Sequence, residues 1–176
     1  MIRYIVLLAS LLASILTPGA LGLTEKEPLV DLSDLPELAP TDLMSQETMR
    51  VIEMLETLHF NNAEISDETF IELIREFMGR LDYNRLYFLE SDEKGFIDNF
   101  GSRLSMQMRH KGNLDAAFTI YERYRVIAIE RIQWILEKLE DEWVFDGDEE
   151  FMYDRSESPW PANIEEANEL WVKRLK

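Results

Sequence analysis

The chain has 176 residues, enough for one ordinary domain with a core of its own. Acids outnumber bases 35 to 18, a formal charge of −17, which argues against nucleic acid as a partner because phosphate binding needs clustered Lys and Arg. Hydrophobic residues make up 46% and cysteine is absent, which excludes a disordered acidic tail, disulfides, thiolate metal sites and a cysteine nucleophile.

The first 22 residues read as an export signal. Arg3 precedes an apolar run over 4–16, Thr17, Pro18 and Gly19 break it, and Ala20-Leu21-Gly22 supplies small residues for cleavage after Gly22. The run is shorter than the ~20 residues of a membrane span. The expected address is outside the cytoplasm, in the periplasm. Residues 23–40 hold Pro28, Pro36 and Pro40 and read as an extended lead-in.

From Thr41 to Ser158 there is no proline, and apolar residues recur at helical spacing. A first helix is predicted over 41–58, with Met44, Val51, Leu55 and Leu58 on one buried stripe. A second opens at Ser66 as N-cap, with Ile65 and Phe70 as a hydrophobic staple, and buries Phe70, Ile74, Phe77, Met78 and Leu81. A turn follows at 82–85. Ser91 is then expected to cap a short helix carrying Phe96 and Phe100.

The longest helix is predicted over 113–142, roughly 40 Å at 1.5 Å per residue. Its inward stripe is expected to comprise Leu114, Ala117, Phe118, Tyr121, Tyr124, Ala128, Ile132, Ile135 and Leu139. Asn163 and Glu166 then form a capping box for a closing helix, with Ile164, Ala167, Leu170, Trp171 and Leu175 inward. That helix is still running at Lys176 and reads as cut short. The expected fold is an all-α irregular multi-helix bundle around one long central helix, occupying 41–176.

Candidate chemistry is thin. Glu56-x-x-His59 is half of a di-iron signature, and the only other histidine, His110, has Gln107 where the second glutamate belongs. Ser91 and Lys94 have the spacing of penicillin-recognising enzymes without the partner motifs, which favours a helix cap. Asp146, Asp148, Glu150, Asp154 and Glu157 follow the oxygen spacing of a calcium loop, but Phe151 stands where the turn needs glycine. A solvated acidic loop is the default there. No nucleophile elbow, P-loop or dinucleotide fingerprint occurs. No catalytic residue and no cofactor is expected in this chain.

The ordered blocks carry a resemblance. Leu58-His59-Phe60, Ile65-Ser66, and the run Leu81-Asp82-Tyr83-Asn84-Arg85-Leu86-Tyr87-Phe88-Leu89-Glu90-Ser91-Asp92 resemble the N-terminal domain of tail-specific proteases, the C-terminal-processing peptidases of the S41 class. Ala117 to Tyr121 with Tyr124, the stretch ending Tyr153-Asp154-Arg155, and Pro159-Trp160 followed by Leu170-Trp171 continue it in order. Tyr83 departs from the proline common in the family's turn. The resemblance implies structural roles for Leu81, Asp82, Arg85, Tyr87, Phe88, Ser91, Asp92, Tyr121, Asp154, Arg155, Trp160 and Trp171. It also implies a PDZ domain and a serine–lysine protease domain beyond Lys176, or on a neighbouring polypeptide. The implied role is a helical module of a periplasmic serine protease that helps enclose protein substrates and docks a lipoprotein adaptor. A free-standing exported interaction or regulatory module is the alternative, and a calcium-dependent binding module a lesser one.

Overall fold

A computed structural model describes residues 30–58, 64–145 and 147–176. The expected signal segment, His59 and Asp146 lie outside them. Among the described residues, a short 3-10 turn at Leu32–Asp34 is followed by six helices: α1 (Asp42–Leu58), α2 (Asp67–Leu81), α3 (Glu90–Phe100), α4 (Leu104–Lys111), α5 (Asp115–Lys138) and α6 (Ile164–Leu175). The described residues form no strand, and the fold is all-α as the periodicity predicts.

Helix α2 is the hub, packing against α3, α4 and α5, while α1 lies on α4. Its start follows from its sequence: Ser66 accepts from the Thr69 N–H at 3.3 Å, and Asp67 and Glu68 meet the positive end of the helix dipole. Phe70, Ile74 and Met78 are buried, with Phe77 and Leu81 packed beside them. Phe88, Phe96, Ile120 and Ile127 close the core from α3, α5 and the loop before α3.

Four expectations change. The helix α1 stripe is not buried: Met44, Val51, Leu55 and Leu58 are exposed, and Ile52 is the residue that enters the core. Helix α5 is shorter than 113–142, at 24 residues or about 36 Å, and buries a neighbouring row, Ala116, Ile120, Ile127 and Arg131. Tyr121, Ile132 and Leu139 face solvent. The helix is apolar on most sides, so spacing alone leaves its rotation open. Ser91 is not the cap of α3. The helix begins at Glu90, two residues before a Ser91 cap would start it, and Asp92 Oδ2 accepts from the Leu89 N–H at 2.9 Å. Ile164 is exposed, leaving Ala167 and Trp171 as the buried residues of α6.

Helix α4 has no apolar periodicity and is assembled by tertiary bonds. Ser105 Oγ donates to Asp67 at the start of α2. Arg109 donates to Glu56 Oε1 of α1 at 2.9 Å and to the Ile65 carbonyl. Gly112 then turns the chain into α5 at φ +57°, with a Cβ there falling 1.9 Å from the Ser45 carbonyl oxygen. Only glycine lets α1 approach this closely.

Candidate functional site

Most of the singled-out residues converge on one buried carboxylate. Asp82, 2% exposed, ends α2 and turns its side chain back over the following loop. Its Oδ1 accepts from the Leu86 N–H at 2.9 Å. Its Oδ2 accepts from the N–H groups of Tyr87 (2.9 Å) and Phe88 (3.1 Å) and from Trp160 Nε1 (3.0 Å). Four donors spread the buried charge without a cation, as a buried carboxylate requires.

The turn itself is held by Arg85, which adopts φ +54° and donates its N–H to the Asp82 carbonyl at 3.1 Å. A left-handed non-glycine residue costs about 1–2 kcal/mol. Here the guanidinium lies 3.9 Å above the Trp160 ring, and Arg85 Nε donates to the Ser156 carbonyl at 3.3 Å. Tyr83 points into solvent and leaves the turn intact.

The segment before α6 is strapped onto this turn. Arg155 N–H reaches Asn84 Oδ1 at 3.5 Å, and the Glu90 N–H donates to the Pro161 carbonyl at 3.0 Å. Trp171 Nε1 donates to the Leu86 carbonyl at 2.9 Å, so both tryptophans read the same loop. Tyr87 sits edge-on to Tyr124 and Trp171, each at 5.4 Å, and Phe88 edge-on to Phe96 and Trp160, each at 6.3 Å. Burial pushes the Tyr87 and Tyr124 hydroxyls up from their usual range. Asp92 links α3 to α5 by accepting from Arg123 Nε at 3.0 Å. Leu81 is half-buried beside the core, whereas Ser91 and Tyr121 are exposed and outside the knot.

The acidic segment behaves differently. Asp148, Glu150, Asp154 and Glu157 are exposed, and among the described residues no three His, Cys, Asp or Glu side chains come together to hold a metal. Asp154 instead accepts from the Ser156 N–H and hydroxyl at 3.0 and 2.7 Å, which keeps its carboxyl below the usual range. Glu56 is likewise engaged, by the Ile65 N–H and by Arg109, rather than aimed at a vacant centre. Ser91 and Lys94 lie exposed on the first turns of α3.

The unburied α1 stripe has a structural consequence. It forms one wall of an open groove of about 730 Å³ between α1 and α2. Met44, Val51 and Leu55 face Leu73 across it, and the buried Ile52 and Phe70 make the floor. The spacing of this stripe is legible in the sequence and predicts a buried face, whereas the folded chain leaves it exposed.

The profile of the tail-specific protease N-terminal domain matches residues 51–176. The chain belongs to this family. A similar protein is the tail-specific protease of Haemophilus influenzae (strain ATCC 51907 / DSM 11121 / KW20 / Rd), 29% identical over 149 residues. That match takes in 80% of this chain and 21% of the relative, so the chain spans about a fifth of the length of the curated protein it matches. The whole Asp82 knot, from Leu81 to Trp171, lies inside the matched region of the tail-specific protease N-terminal domain.

Proposed function

We propose that this domain is the helical front module of an exported tail-specific serine protease, and that it helps enclose protein substrates and docks a helical adaptor. The observation that carries this reading is the family match over 51–176, set beside a relative of which it spans 21%. The PDZ reader and serine–lysine dyad of such a protease belong, on this reading, to polypeptide outside this chain. The apolar segment at 4–16 directs the module out of the cytoplasm, and cleavage leaves Leu23 as its first residue.

The Asp82 knot suits a scaffold role. It welds the α2–α3 loop, the 154–161 strap and α6 into one unit, so that a face presented by α1 or α5 keeps its position. The test is incubation of the purified chain with an unstructured peptide bearing an apolar C-terminal tag. The expected result is an intact peptide; robust cleavage overturns the reading. Mass spectrometry of chain recovered from the periplasm checks the address, and a mature protein starting at Leu23 is expected.

A free-standing interaction module is the second reading, and one observation favours it: Trp171 and Ala167 of α6 are buried against partners within the chain. Slow amide exchange in α6 of the isolated chain supports that alternative, and rapid exchange removes it.

A further inference from the structure

We infer that the α1–α2 groove is the seat of an amphipathic helix with basic flanks, contributed by a separate polypeptide. Met44, Val51 and Leu55 keep helical spacing with Thr48 between them, a pattern that specifies a buried face. Among the described residues nothing covers that face: Met44 is 38%, Val51 54% and Leu55 48% exposed, and Leu73 opposite is 45% exposed. Contiguous exposed apolar surface of this kind marks interaction sites in soluble domains.

Shape narrows the occupant. The trough runs along α1, 17 residues or about 25 Å long, between two helices whose floor is already closed by Ile52 and Phe70. A third helix lying in it would present anchors at i, i+4, i+7 and i+11, the usual helix-in-groove arrangement. Because the core closes without the occupant, the domain folds with the groove empty, which suits a partner that arrives and leaves.

Charge narrows it further. Among the described residues, the charged ones lining the groove are Glu47, Glu72 and Glu76, all exposed and all acidic. Arg75 and Arg80 bond Glu72 and Glu76 from the same helix, at 2.8 and 3.1 Å, and hold them at the rim. A second copy of this chain brings the same acidic surface and is repelled, and so is an anionic lipid surface. Lys or Arg flanking an apolar stripe complements both the floor and the rim. This inference rests on the docking role proposed above only for the occupant's being a separate polypeptide. Peptide cleavage by the chain would sink that reading without touching the groove measurement.

The experiment uses the full purified chain and a fluorescein-labelled synthetic helix of about 18 residues, matched to the length of α1. The probe carries Leu at i, i+4, i+7 and i+11, with Lys on both flanks. Binding is followed by anisotropy. Saturable binding is expected, weakened at least ~10-fold by Val51→Asp or by Leu73→Asp, which put a charge on the apolar wall. Both positions are exposed, and unchanged circular dichroism and melting temperature confirm that the variants are folded. Glu47→Lys and higher salt each weaken binding several-fold, and the same peptide with Glu flanks binds at least ~10-fold less. Equal binding of the Glu-flanked peptide, or no binding by the folded chain at about 100 μM probe, overturns the inference. Two other findings overturn it in favour of another occupant: concentration-dependent dimers that Val51→Asp abolishes, or association with phosphatidylglycerol vesicles that Val51→Asp abolishes.

Discussion

Asp82→Asn isolates what the buried carboxylate contributes, because the amide keeps its shape and changes only charge and one acceptor. Oδ2 carries three of the four bonds, so the amide oxygen belongs at that position. The NH2 group then faces the Leu86 N–H, donor against donor. One bond to a charged acceptor is lost, about 1.5–3 kcal/mol. The other three fall from charge-assisted to neutral strength, about 2 kcal/mol together. The expected cost is about 4 kcal/mol, a large share of the 5–15 kcal/mol typical of a domain. Trp160→Phe removes a single donor and is expected to cost about 2 kcal/mol, including its stacking with Arg85. In the double variant the Trp160–Asp82 bond is already gone, so its cost falls short of the sum by at least ~1 kcal/mol. Urea unfolding followed by circular dichroism at 222 nm measures all three. A cost for Asp82→Asn below about 0.5 kcal/mol, the range of ordinary surface changes, refutes the reasoning.

Gly112→Ala forces a Cβ against the Ser45 carbonyl and keeps a left-handed backbone, so α1 must part from α4. A loss of at least ~3 kcal/mol is expected from this overpacking and strain, read as a drop in urea midpoint. Acid acts first on the α1–α4 clasp. The Ile65 N–H, and then Arg109, hold the Glu56 carboxyl below its ordinary 4.5, so its contribution is full above that pH. It is lost as pH falls through the depressed value, and Glu56→Gln flattens the stability profile below about pH 4.5. Alkali acts on Tyr87 and Tyr124, whose hydroxyls burial raises above the ordinary 10.0. Their contribution is complete below pH 10.0 and is lost as pH climbs through the raised values, seen as tyrosinate absorbance rising together with unfolding. Tyr87→Phe moves that transition to higher pH.

The sequence made α2 legible because its signals agree: Ser66 caps, Ile65 and Phe70 staple, and Phe70, Ile74 and Met78 mark one face. Helix α5 shows the opposite case. Ala116, Ala117, Phe118, Ile120 and Tyr121 are apolar on adjacent faces, so its existence was evident and its rotation was not. Helix α4 was hidden because Leu104–Lys111 owes its place to bonds with Asp67 and Glu56, which the chain brings to it only on folding. The knot was half visible. A turn after Leu81 and Asp82 could be read locally, but the fourth donor to Asp82 arrives from Trp160, 78 residues downstream. No periodicity reports a contact at that separation.

Asp82 and Arg131 show how a strongly acidic chain tolerates charge in its interior. Each is buried, at 2% and 5% exposure, yet they are not paired with one another. Asp82 is satisfied by N–H donors. Arg131 donates to Asn168 Oδ1 at 2.6 Å and lies 4.8 Å from the Trp134 ring and 5.8 Å from that of Trp171, while burial draws its guanidinium below the usual range. Both solutions place tryptophans from the end of the chain over elements from its beginning and middle. Among the described residues Asp82 is the one buried acid, so the excess carboxylates lie at or near the surface, where an isolated ion pair contributes about 0–1 kcal/mol at most. Rigidity in this domain therefore comes from directional bonds to tryptophan and backbone. The acidic rim of the α1–α2 groove is where the excess charge borders an uncovered apolar face.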